Sequence, residues 1–144
     1  MGSIGNLFAG MRSSSSGLAA ERTRMDVIAR NIANSQTTRM PGTKVPYRRQ
    51  IVEFGPILQK MNDGSTVANG VQVTGVTGDF AAEFELVKDP SHPHADEDGF
   101  VSMPNVNATK EMADLMLSIR SYEANLKVQE SFITMAERAI RLAQ

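Results

Sequence analysis

Apolar side chains recur every seven residues at both ends of the chain. Ile4, Met11, Leu18, Met25 and Ile32 hold one unbroken register. The positions three further on are Leu7, Ser14, Glu21 and Ile28, so that half of the seam is weak in its middle. Ala9, Ala19, Ala20, Ala29 and Ala33 add small surfaces. A seven-residue period keeps one narrow stripe of a helix apolar, which predicts a long helix over roughly residues 4 to 34. The run "SSSSG" at 13 to 17 opposes it, because Ser and Gly are poor helix interiors, and marks a site for a local break.

The other end repeats the idea more strongly. Met112, Ile119, Leu126, Ile133 and Ile140 are again seven apart, with Leu115, Tyr122, Gln129, Ala136 and Ala143 as companions. Asn107 or Thr109 can cap the start, and Glu111 and Asp114 suit the positive end of the helix dipole. Arg138 and Arg141 suit the negative end, and no Gly or Pro interrupts residues 108 to 144.

Between the ends the texture changes. "YRRQIVEF" and "GVQVTGV" favour strands, and "FAAEFELV" does so more ambiguously. Asp63-Gly64 and Asn69-Gly70 are turn signals, and "KDPSHPHADEDG" reads as a loop. The expected organisation is an N-terminal helix with its terminal motif over 1–40, a β-rich middle section with loops over 41–107, and a C-terminal helix over 108–144. The fold class is α+β, with the two long helices pairing as an antiparallel coiled-coil-like unit through their matching stripes. Rods of roughly 45 to 55 Å are long beside so small a middle section, and a helix pair cannot bury every apolar side chain, so further partners are expected.

Composition narrows the chemistry. A formal net charge of -1 gives no general electrostatic reason to bind nucleic acid or an anionic membrane. With no Cys in the chain, disulfides, thiolate nucleophiles and Cys-based metal sites are excluded. No apolar run reaches the ~18 to 20 residues of a spanning helix, and the first residues lack the pattern of a cleaved secretory signal, so export is expected by another route.

Candidate sites fall short one by one. His92, His94 and Asp96 could bind a metal. "HADEDG" places Asp96, Asp98 and Gly99 at calcium-loop positions, but His94 stands at the first position and Asn105 at the twelfth, so a solvated acidic loop is expected. "GVQVTGVT" has phosphate-loop glycines with Val76 where Lys is required. Arg48 and Arg49 beside Tyr47 are ordinary surface or interface residues in a neutral chain. There is no G-x-S-x-G turn, and both histidines share one loop, so no hydrolytic triad is assembled. No catalytic residue and no cofactor are expected.

Four segments together resemble one family. "NIANSQTT" at 31 to 38 resembles the signature that ends the N-terminal helix of bacterial flagellar rod and hook proteins, carried by Asn31, Ile32, Ala33, Asn34 and Thr37. "PYRRQIVEF" at 46 to 54, "DPSHPHADEDGFVSMPNVN" at 89 to 107 and "SYEANLKVQES" at 121 to 131 are similar to segments that follow in the same order. The longer connection "TRMPGTKVPY" is similar to the proximal-rod type of this flagellar basal-body rod family, not to the distal-rod or hook type.

The resemblance implies a structural subunit. It would polymerise with copies of itself and other rod proteins into a helical tube that transmits torque and encloses the export channel. It would be exported uncleaved by the flagellar type III apparatus, reside in the periplasmic rod, and sit on the membrane-ring and export-gate base. The two apolar stripes would then be assembly surfaces, and Asn31 and Asn34 would fix the exit from the first helix and a subunit contact. The competing reading is a soluble helical adaptor or export chaperone, whose heptads close a discrete oligomer. A metal-dependent enzyme built on His92, His94 and Asp96 is a remote third.

Overall fold

The computed structural model describes residues 2–61 and 64–142, and only the backbone of residues 2–9. Helix α1 spans Gly2–Ala33, strand β1 Gln50–Lys60, β2 Thr66–Gly78, β3 Glu85–Lys88, β4 Phe100–Met103 and helix α2 Ala108–Leu142. The architecture is α+β: two long helices with two separate two-stranded antiparallel sheets.

Helix α2 starts where Asn107 accepts a hydrogen bond from the Lys110 amide at 3.0 Å, so Asn107 is the cap and Thr109 is not. Helix α1 runs through "SSSSG" without the expected break. The small residues are used for close approach instead. A Cβ on Gly17 would meet the Asn125 side chain at 3.0 Å, and one on Gly10 would meet the Phe132 ring at 2.7 Å. Ser16 turns its hydroxyl back to the Ser13 carbonyl, 2.7 Å away, and accepts the Val71 amide of β2 at 3.1 Å.

The long hairpin pairs Gln50 with Gly78 and ends at Lys60 opposite Thr66. Its first strand begins at Gln50, not at Tyr47, because residues 47 to 49 are engaged elsewhere. Pro56 sits beside a register shift, where its missing donor does not break the ladder. Gly64 at φ 83 lies in the connection, while Asp63 of the expected turn is outside the described residues. Asn69-Gly70 makes no turn; both residues lie inside β2, where Gly70 at φ 120 takes the Ser16 side chain against its backbone. Only Glu85 to Lys88 of "FAAEFELV" is a strand, paired with the short β4.

The two apolar stripes do not face each other. Gly10 meets Phe132, Gly17 meets Asn125 and Asn31 meets Glu111, so α2 returns along α1 in constant register. Met112, Ile119, Leu126, Ile133 and Ile140 remain exposed, and Met11, Leu18, Met25 and Ile32 are half-buried. The Ile4 side chain and Ala143 lie outside the described residues. Each stripe residue follows a contact residue by one position, about 100° round its helix. In an antiparallel pair the same sense of rotation brings both stripes to one side. On α1 the opposite rotation gives Ala20 and Val27, both buried, and there the long hairpin packs.

Candidate functional site: a polar clasp beneath an apolar face

The most buried large side chains include polar ones. Asn31 and Glu111 are each 1% exposed, and buried beside them are Val27, Ile28 and Tyr47. Asn31 lies in the last turns of α1 and uses all its hydrogen-bonding capacity. Its amide nitrogen donates to the Gln50 carbonyl at 2.9 Å and to Glu111 Oε2 at 3.0 Å. Its oxygen accepts from the Tyr47 hydroxyl and from the Gln50 amide, both at 2.9 Å. One side chain therefore joins α1, the entry to β1 and the first turn of α2.

Arg49 closes the other side of Glu111. Its Nε donates to Glu111 Oε1 at 2.6 Å, and its Nη1 lies 3.4 Å from Asp79. Partial burial works against the Arg49 charge, but its hydrogen bonds and attraction to Glu111 and Asp79 outweigh that and hold its pKa above the ordinary value. The Arg49 amide donates to Asn105 at 2.8 Å, and Asn105 in turn donates to the Asp79 and Ala82 carbonyls, each at 3.0 Å. Burial raises the Tyr47 pKa, with Arg30 opposing and Glu111 adding to the rise.

Arg48 and Arg49 are thus not ordinary surface residues. Arg48 donates to the Asp79 carbonyl at 2.8 Å and stacks between the Phe80 and Phe84 rings, 4.8 and 4.2 Å from their centroids. Nor does Glu111 serve only the helix dipole; it is the buried anion on which the clasp turns. The available signal was an amide at the end of a predicted helix, followed by Tyr-Arg-Arg at the entry to a strand.

Asn34 does something more local. It donates to the Arg30 carbonyl at 2.9 Å and accepts from the Thr37 hydroxyl at 3.2 Å, tying off the helix end. Ile32 is half-buried and Ala33 exposed. Thr38 shares a 2.7 Å hydrogen bond with His94 Nδ1, which draws the histidine loop to the helix exit. Partial burial, with Arg39 and His92 nearby, lowers the His94 pKa. Among the described residues no group of three or more His, Asp or Glu is placed to hold a metal ion. Nor, among them, is any helix long and apolar enough to cross a membrane.

Beyond the clasp, α2 carries exposed apolar side chains among its charged ones. Ten of its large hydrophobic side chains are exposed, from Met112 at 49% and Met116 at 64% to Ile140 at 62% and Leu142 at 89%. Leu115 and Tyr122 are half-buried.

Comparison with known proteins places this arrangement. Residues 11–39 match the family described as flagella basal body rod protein, and residues 97–142 match the flagellar basal body rod FlgEFG protein C-terminal family. The chain is 40% identical to the flagellar basal-body rod protein FlgC of Bacillus subtilis, over 95% of this chain and 98% of that one. It is 37% identical to FlgC of Borreliella burgdorferi, over 96% and 98% of the two chains. Against FlgC of Salmonella typhimurium the identity is 36%, over 90% and 92%.

Proposed function

We propose, from the premise that the chain belongs to the flagellar basal-body rod protein family, that it is a structural subunit of the proximal rod in which the clasp fixes the subunit and the apolar face of the helix pair joins it to its neighbours. Relatives sharing nearly the whole length carry the rod name, which supports assembly with other rod proteins in the basal body. The observation that carries the reading is the reversal of polarity in the helices. The start of α2 is buried and polar, while ten of its large apolar side chains stand exposed among charged ones along the rest of the helix. Burying one exposed Ile or Leu contributes about 1.5–3 kcal/mol, so a repeated stripe is a strong drive to associate.

In this reading α1 and α2 pair as an antiparallel coiled-coil-like unit, with Met11, Leu18, Met25, Ile32, Met112, Ile119, Leu126, Ile133 and Ile140 buried against other subunits. The assembled helical tube transmits torque and encloses the export channel. Its lower end meets the membrane-ring and export-gate base, the chain reaches the periplasmic rod through the flagellar type III apparatus, and its Asn31, Ile32, Ala33, Asn34 and Thr37 set the helix exit. A discrete adaptor or chaperone oligomer is not favoured by the family.

The test is full-length Ile119→Asp with Leu126→Asp in a flagellated cell lacking its own copy. Normal expression with loss of rods and motility is expected. Normal motility would overturn the reading.

A further inference from the structure

Charge is segregated along this nearly neutral chain. Residues 1–49 hold eight Arg or Lys against two Asp or Glu, residues 50–107 hold two against nine, and residues 108–144 hold five of each. The structure does not cancel these poles. Among the described residues all three ion pairs belong to Arg49. Arg12, Arg22 and Arg30 are exposed on α1 with no ion pair, and Asp26 is exposed one turn from each of the last two. Glu83, Glu85 and Glu97, in and beside the β3–β4 unit, are exposed in the same unpaired state.

A second observation points to the same ligand chemistry. Phe80 is 81% exposed. Arg48 stacks on its ring at 4.8 Å, and Glu83 and Glu85 follow within five residues of it in the chain. Its exposed surface offers a ring quadrupole to a cation, with two exposed carboxylates close by in sequence. A guanidinium satisfies both.

We infer that the β3–β4 unit of one copy, through Phe80, Glu83 and Glu85, docks on the arginine ridge of α1, Arg22 and Arg30, in a second copy. The inference rests on the rod-subunit reading and adds a polar contact separate from the apolar stripes. Both surfaces belong to one chain and lie at different places on it, so the contact is head-to-tail. Such a contact propagates instead of closing, as a helical assembly requires. Opposite potentials also set register and exclude wrong partners, which an apolar stripe alone does poorly.

The test uses charge reversal in the full chain, expressed in a flagellated cell lacking its own copy. Arg22→Glu with Arg30→Glu, and separately Glu83→Arg with Glu85→Arg, are each expected to cut rod yield about tenfold, and all four together to restore it. Circular dichroism of each purified chain checks that these exposed changes leave the fold intact. Because the chain has no Cys, Arg22→Cys or Arg30→Cys combined with Glu83→Cys or Glu85→Cys should also give oxidation-dependent multimers in isolated basal bodies. Reversals without effect, in a cell type where Ile119→Asp with Leu126→Asp abolishes rods, would sink this contact and leave the rod reading standing. Loss that the fourfold change does not restore, or absence of multimers, would show that the partner is not a second copy. Sensitivity to the arginine change alone would assign the ridge to another anionic surface, such as lipid, and overturn the proposal. If neither the stripe nor the reversals mattered, the rod reading itself would fall.

Discussion

The start of α2 and the length that follows it obey opposite rules. At Glu111 a charge is buried to 1% exposure and surrounded by Arg49 and Asn31. From Met112 to Leu142 the same helix leaves ten large apolar side chains in the open. An ordinary monomer does the reverse, hiding its apolar groups and solvating its charges. Each departure has its own use. A buried polar network is costly when incomplete and geometrically demanding when complete, so it fixes one arrangement of three elements. An exposed apolar stripe contributes nothing to the isolated chain and a great deal to a contact. On the proposed reading the junction defines the subunit and the stripe serves the assembly.

The sharpest way to break that contrast is to empty its polar end. Glu111→Ala would leave Arg49 without its main partner and Asn31 with an unpaired donor. The expected loss is about 3 kcal/mol of unfolding free energy, read by denaturant titration of the purified chain. A loss below about 1 kcal/mol would mean that the network is incidental to the fold.

The next effect separates the two asparagines. Asn31→Ala removes four hydrogen bonds that join separate elements, and about 2 kcal/mol is expected. Asn34→Ala removes bonds within one helix end, and about 0.5 kcal/mol is expected. Equal losses would show that the tertiary role assigned to Asn31 is wrong.

Tyr47 adds a smaller, pH-dependent difference. Its pKa is raised in the folded chain, so the unfolded chain gives up the phenol proton first. The stabilisation tied to neutral Tyr47 is therefore complete below the unfolded value, near pH 10, and is lost as pH rises through the folded value. Unfolding free energies from pH 8 upward should fall faster for the parent chain than for Tyr47→Phe; parallel curves would exclude the phenol as the source.

How much of this was legible in the sequence depends on the range of the interaction. The two long helices came from periodicity and the β-rich middle from strand-favouring and turn residues, all of which are local signals. The "SSSSG" run misled because Ser and Gly were judged by propensity, whereas Gly17 and Ser16 answer to Asn125 and Val71, far along the chain. Asn69-Gly70 misled for the same reason, its positive φ serving a strand that meets a helix and not a turn. β4 lay hidden among Asp and Pro because its only pairing is with β3. Glu111 was seen as a dipole residue since nothing near it in sequence announces Arg49, and Arg49 was set aside because a surface arginine is the commoner case. The stripes were found by period, but which side of each helix they occupy follows from small residues at Gly10 and Gly17 that carry no hydrophobic signal.

The smallest expected change in the fold tests the apolar end of the comparison. Ile119 and Leu126 are 40% and 41% exposed and take no part in the hydrogen bonds or ion pairs of the clasp, so Ile119→Asp with Leu126→Asp leaves that network whole in the isolated chain. Its unfolding free energy should stay within about 0.5 kcal/mol of the parent. The same two changes are expected to abolish rod assembly, because each places a carboxylate where a neighbouring subunit should bury an aliphatic group. A stability loss as large as that of Glu111→Ala would mean that the stripe supports the monomer. The division between a polar junction that builds the subunit and an apolar face that builds the rod would then fail, even if assembly were lost as expected.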